Sequence, residues 1–253
     1  MDVMALFSPE IPVLGILGFA IAGILGLWLL ITILRGRKLQ MFYSAIHLIL
    51  RVISLVYIRL QTIDIENIPK EGGVILAPNH PSDLDSFILG TAIRRQLHTM
   101  GKEELFRKRF TEFIFRKLNA FPVKRGKLDR ESIRIAVSVL KRGHVIDMYP
   151  EGTVSRNGSL QEPKLGTAFI ALQAKVPLVP VAIIGTFNVM SKGQRFPRPH
   201  KVIIKFGRPL YFDEYYDRPY KKEILKIITR RIMNEIKILL EPEVFPEENY
   251  VNI

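Results

Sequence analysis

Gly73-Val74-Ile75-Leu76-Ala77-Pro78-Asn79-His80-Pro81-Ser82-Asp83-Leu84-Asp85 is the stretch on which the reading of this chain turns. Behind the glycine pair Gly72-Gly73, the run Val74–Ala77 is short and wholly apolar, the pattern of a strand covered on both faces. Downstream, Ser82 or Asp83 can cap a helix whose apolar body is Phe87-Ile88-Leu89 and Ala92-Ile93. His80 therefore falls in a strand-to-helix turn, and Asp85 follows about one helical turn later. That spacing lets the carboxylate reach one imidazole nitrogen while the other faces outward. An imidazole exchanges protons near neutral pH, and a carboxylate partner fixes its tautomer and supports its charged form. The same pair also reads as a histidine capping its own helix, so the remaining motifs must decide.

The 253 residues suffice for one large domain and an appendage. No cysteine is present, which excludes disulfides, thiolate metal sites and a cysteine nucleophile. The net charge of +13 calls for an anionic partner: nucleic acid, lipid headgroups or a phosphorylated substrate. The N-terminus selects among these. Ile11 to Leu34 carries no charge and is long enough to cross a hydrocarbon core of about 30 Å. It ends at Arg35-Gly36-Arg37-Lys38, a cytoplasmic flank by the positive-inside rule. From Leu39 to Leu60 a second helical pattern carries one narrow polar stripe, Gln40, Ser44, His47, Arg51 and Ser54. Residues 1–60 thus read as a two-helix membrane anchor, which favours phospholipid over nucleic acid as the anionic partner.

From Gln61 to Ile253 the texture is that of an α/β domain, a mixed sheet flanked by helices. Strands are expected near 73–78, 97–100, 119–123, 145–149, 178–184 and 201–206. Helices are expected near 84–95, 103–118, 129–142, 164–174 and 219–240, with a loose tail after Glu241. In the segment 103–118, Phe106, Phe110, Phe113 and Phe115 alternate with Arg107, Lys108, Arg109, Arg116 and Lys117. This pattern suits a membrane interface, or a core-facing row of rings with a solvated charged face. Ile224, Leu225, Ile228, Ile232, Ile236 and Leu239 form the core stripe of the last long helix.

Two further turns carry polar chemistry. Phe121-Pro122-Val123-Lys124-Arg125-Gly126 delivers two cations into a loop, and the planar guanidinium of Arg125 suits a phosphate monoester. Tyr149-Pro150-Glu151-Gly152-Thr153 ends a strand in a stiff turn: Gly152 lets backbone approach a ligand, and Thr153 adds a hydroxyl. Glu151 would repel a phosphate, so its role is to orient Arg125, to accept a hydroxyl proton, or to sit in a buried ion pair. Val176-Pro177-Leu178-Val179-Pro180-Val181 is wall. The sequence lacks a Gly-x-Ser-x-Gly elbow, a P-loop, a dinucleotide fingerprint and HExxH. His98, His144 and His200 have no ligand spacing, and neither a metal nor a cofactor is expected.

Taken together these blocks resemble the 1-acyl-glycerol-3-phosphate acyltransferases of the glycerolipid acyltransferase family, over about residues 65–210. Asn79-His80 with Asp85 is similar to that family's His-x4-Asp block. Phe121–Arg125 is similar to the second block, Tyr149–Thr153 to the third and Val176–Val181 to the fourth; Lys164-x-Gly166 ahead of a helix also fits. One departure stands out: after Thr153 the family usually continues with Arg and Ser, whereas here Val154 precedes Ser155 and Arg156.

The resemblance implies acyl transfer from acyl-CoA or an acyl carrier protein to lysophosphatidic acid, at a cell membrane with the catalytic domain on its cytoplasmic face. His80 is then the general base, oriented by Asp85. Arg125, with Glu151, Gly152, Thr153 and Lys164, holds the acceptor's phosphate end. A backbone amide near Asn79–Pro81 or Gly152 serves the oxyanion. Rival readings are a relative using glycerol 3-phosphate or another lysolipid, and a non-enzymatic binder of anionic lipid.

Overall fold

A computed structural model describes residues 57–123, 130–216, 218–241 and 251–252, all within the compact unit Val52–Ile253. The anchor expected at 1–60, apart from its last four residues, lies outside the described residues, and so does Arg125. Among the described residues, no helix is long and apolar enough to cross a membrane.

The elements run in chain order as β1 Gln61–Ile63, β2 Val74–Pro78, α1 Asp85–Ala92, β3 Leu97–Lys102, α2 Arg109–Lys117, β4 Ala120–Val123 and α3 Arg130–Lys141. There follow β5 Val145–Asp147, α4 Gly166–Ala174, β6 Leu178–Ile184, α5 Thr186–Val189, β7 Ile203–Phe206, α6 Lys222–Leu240 and β8 Val251–Asn252. The strands form one sheet in the order β4-β3-β5-β2-β6-β7-β1-β8. The five from β4 to β6 are parallel. β7 runs antiparallel to β6, β1 parallel to β7, and β8 antiparallel to β1. The sheet is mixed, as the sequence predicts.

β2 lies in the parallel core with β5 and β6 as neighbours, and all five of its residues are buried. Its alternate side chains feed two cores, because successive residues of a strand point to opposite faces. Ile75 and Ala77 pack with Ala136, Val139 and Leu140 of α3, with α4, and with Ile228, Ile232 and Ile236 of α6. Val74 and Leu76 pack with Ile88, Leu89 and Ala92 of α1. Gly73 is required where β2 begins, since a Cβ there would collide with the Leu140 carbonyl oxygen.

Several expectations are corrected. β1 and β8 were not anticipated, and Val251–Asn252 belongs to the sheet rather than to a loose tail. The strand expected at 145–149 stops at Asp147, where the Tyr149 turn begins. The segment 103–118 is a 3-10 turn, Glu103–Phe106, followed by α2, because Lys108 is extended. α1 starts without a side-chain cap. Leu84 occupies the cap position, and the Ser82 hydroxyl accepts the Leu84 N–H at 3.2 Å instead.

Candidate active site

β2 ends at Pro78 and delivers Asn79 and His80 to the carboxyl-terminal edge of the parallel strands. The Asn79 carboxamide donates to the Ile183 carbonyl at 3.0 Å and accepts the Ile183 N–H at 2.7 Å. It thereby pins the turn onto β6. Both backbone groups of His80 are held by the loop after β5: its N–H donates to Glu151 Oε1 at 2.9 Å, and its carbonyl accepts the Ser155 N–H at 2.7 Å. His80 Nδ1 lies 2.9 Å from Asp85 Oδ2, and that same oxygen accepts the Ser82 N–H at 2.8 Å. Asp85 is fully buried and His80 keeps 13% of its side chain exposed. Burial pushes the Asp85 carboxyl above its usual range, while His80, the Ser82 amide and the Thr186 hydroxyl pull it back. The pairing expected from the His80–Asp85 spacing is therefore present, and it engages Nδ1 rather than Nε2.

Tyr149 forms a floor beneath the dyad. Its ring stacks on the His80 imidazole with centroids 3.7 Å apart and planes at 23°. Its hydroxyl donates to Asp147 Oδ2 at 3.2 Å and lies 2.8 Å from the Ser86 hydroxyl. Burial raises the Asp147 carboxyl to about 6, even though Ser86, Thr99 and Tyr149 draw it down. Burial, with the carboxylates of Asp147 and Asp85, holds the Tyr149 phenol well above its ordinary value. It is a neutral hydrogen-bonding platform.

Glu151 is 2% exposed. Its Oε1 takes the His80 N–H, and its Oε2 takes the backbone and side-chain N–H groups of Gln161 at 3.2 and 2.8 Å. Both oxygens are thus engaged inside the protein. Burial raises its pKa, and the Gln161 and His80 donors lower it. Gly152 has φ of +66°, and a Cβ there would lie 3.1 Å from the Lys164 ammonium. Lys164 consequently sits over the turn and brings it a cation. Val154, where the family usually has Arg, is buried at 2%. Two amides expected near the oxyanion are already committed: that of His80 to Glu151, and that of Gly152 to the Tyr149 carbonyl at 3.0 Å.

The structure therefore gathers His80, Asp85, Glu151, Gly152, Thr153 and Lys164 around one turn. Sequence reasoning missed Tyr149 as the imidazole's floor, Gln161 as the partner of Glu151, and Asp147 below. A signal for Asp147 existed: it is a carboxylate inside an otherwise apolar parallel strand, two residues from Tyr149.

A family profile described as Acyltransferase matches residues 59–184, a span that includes all of these residues and Arg125. A 1-acyl-sn-glycerol-3-phosphate acyltransferase of Bacillus subtilis is 33% identical over 175 residues, 69% of this chain and 84% of its own length. The chain belongs to the acyltransferase family. A Borreliella burgdorferi protein of the same name is 30% identical over 172 residues, covering 65% of this acyltransferase and 66% of the relative. The crystal structure of a 1-acyl-sn-glycerophosphate (LPA) acyltransferase from Thermotoga maritima superposes with a TM-score of 0.65 at 24% identity. It covers 90% of this chain and 95% of that one, a likeness of fold.

Proposed function

We propose that this acyltransferase moves a fatty acyl group from an acyl thioester, acyl-CoA or acyl carrier protein, to the sn-2 hydroxyl of 1-acyl-glycerol-3-phosphate, giving phosphatidic acid. The observation that carries the reading is the 2.9 Å contact of His80 Nδ1 with the buried Asp85 carboxylate. His80 Nε2 takes the hydroxyl proton as the acceptor oxygen bonds to the thioester carbonyl carbon. The tetrahedral intermediate collapses, the C–S bond breaks, and His80 returns the proton to the departing thiolate. General-base catalysis of this kind contributes about 10²–10⁴-fold. Lys164, over the Gly152 turn, and Arg125 meet the acceptor phosphate as charge-assisted donors. The uncharged run Ile11–Leu34 and its basic flank keep the catalytic domain at the cytoplasmic face of a membrane.

The test is purified full-length protein given labelled lysophosphatidic acid, glycerol 3-phosphate and other lysolipids, each with both donors. Phosphatidic acid should form from lysophosphatidic acid. His80→Ala should lose about 10²–10⁴-fold, and adding Asp85→Asn to it should cost little more, because the pair acts as one unit. Near-normal turnover by folded His80→Ala protein overturns the mechanism, and a preference for another acceptor overturns the substrate.

A further inference from the structure

Two exposed clusters of aromatic and basic side chains stand on the same edge of the sheet as His80. The first is α2, which follows β3. No residue of α2 is buried. Phe106 and Phe115 turn inward, with ring centroids 5.9 Å apart, and Phe115 lies 6.2 Å from Phe87 of α1. Phe110 and Phe113 are instead 74% and 50% exposed. At about 100° per residue, Arg109, Phe110, Phe113, Arg116 and Lys117 share one arc of about 120°. The one acid of the helix, Glu112, is paired with Arg116 at 2.8 Å.

The second cluster is the loop after β6 and α5. Phe196 is 77% exposed, between exposed Arg195, Arg198 and Lys192, and residues 186–201 contain no acid. This loop is braced. The Gln194 side chain donates to the Phe196 carbonyl at 2.6 Å, the Tyr57 hydroxyl to the Pro197 carbonyl at 3.0 Å, and the Arg198 N–H to the Val189 carbonyl at 2.7 Å. The Ser82 hydroxyl joins it to the catalytic turn through the Met190 carbonyl at 2.7 Å. Phe196 is thus held out in water by a fixed loop rather than swept there by a loose one.

β3, β5, β2 and β6 lie side by side and parallel. One cluster therefore leaves the edge two strands to one side of His80, and the other leaves it from the next strand on the opposite side. We infer that these two clusters dock the catalytic edge onto an anionic phospholipid surface, Phe110, Phe113 and Phe196 entering the interface and the flanking cations meeting headgroups. Rings that insert beside cations that remain among phosphates are what an anionic interface recognises. The charge selects that occupant: neither cluster presents an unpaired acid on its exposed arc. The inference rests on the acyltransferase reading only for its purpose, which is to bring the mouth of the site to a lipid acceptor without lifting that acceptor into water.

The absence of cysteine makes the test direct. Full-length Phe110→Cys, Phe196→Cys and Glu71→Cys proteins are labelled with a nitroxide and reconstituted into phosphatidylcholine–phosphatidylglycerol vesicles. Glu71 is exposed and precedes β2, on the opposite edge. Accessibility to a water-soluble nickel chelate, relative to oxygen, is measured at each site. Labels at 110 and 196 should be several-fold more shielded than at 71, and the shielding should weaken in purely zwitterionic vesicles or at high salt. All three proteins carry the same N-terminal run, and the dependence of the shielding on anionic lipid and on salt separates docking by these basic clusters from tethering by that apolar run. Labels at 110 and 196 as open to the chelate as at 71 overturn the docking, as does shielding that arises only when an acidic acyl carrier protein is added. The readout does not pass through activity. An active protein with open labels overturns the docking alone, and an inactive wild type with shielded labels overturns the acyltransferase reading alone.

Discussion

Glu151 Oε1 accepts the backbone N–H of His80 at 2.9 Å across 71 residues of sequence. The loops after β2 and β5 are locked together through this bond, with Gln161 holding the other carboxylate oxygen at 2.8 Å. Glu151→Ala strands buried donors, at a cost of about 1–3 kcal/mol, and frees the backbone that aims the imidazole. We expect lower stability and lower kcat, with the acceptor KM little changed, because the bond is made to the enzyme and not to the substrate. Steady-state kinetics and urea unfolding check this. A raised KM at constant kcat would place Glu151 against the acceptor headgroup instead.

Tyr149 separates two contributions on one side chain. Tyr149→Phe keeps the ring that stacks on His80 but removes the donor to Asp147. Tyr149→Leu removes the aromatic floor as well. Aromatic contacts of this kind are worth about 0.5–1.5 kcal/mol beyond burial, so the Leu variant should lose about two- to tenfold in kcat relative to the Phe variant. Equal kcat in the two variants would show that the ring does not position His80.

Much of this site was legible because it is local. His80 and Asp85 are five residues apart, and a strand ending just before them makes their meeting a matter of chain geometry. The buried parallel strands β2, β5 and β6 announced themselves as apolar runs. What was hidden is long-range or short. The bond from His80 to Glu151 depends on β2 and β5 lying side by side, which no local pattern encodes. β1 and β8, of three and two residues, are too brief to show alternation, and they exist because each has a partner. The break at Lys108 has no Pro or Gly to mark it. Phe115 turns toward Phe87 of α1 and Phe106 packs against Phe115, while Phe110 faces out, a division set by tertiary packing.

Arg95 fastens the opposite edge. Its guanidinium donates to the carbonyls of Pro69, Gly72 and Gly143 at 2.5, 2.5 and 2.6 Å, tying the turn before β2 to the turn before β5. Hydrogen bonds from a charged donor contribute about 1.5–3 kcal/mol, so Arg95→Ala should lose about that much stability. Arg95→Lys should recover only part of it, since an ammonium is one point and cannot span three carbonyls as a planar fork does. Urea midpoints compare the variants. Full rescue by Lys would mean that charge alone, without the fork, joins the two turns.

Asp147 makes stability depend on pH in an uncommon direction. Burial lifts its carboxyl from the usual 3.8 to about 6, so between those values the folded protein retains a proton that the unfolded chain releases. Stability from this group is therefore intact below about pH 4, declines as pH rises, and levels off above about pH 6. At about 1.4 kcal/mol per pH unit, the full decline is about 3 kcal/mol. Asp147→Asn has no proton to lose and can still accept the Tyr149 hydroxyl. Other carboxylates titrate alike in both proteins, so the difference in unfolding free energy isolates this one. It should move in favour of the Asn variant between about pH 4 and pH 6 and stay flat above. A difference independent of pH across that window would show that Asp147 titrates in the folded protein as it does in the unfolded chain.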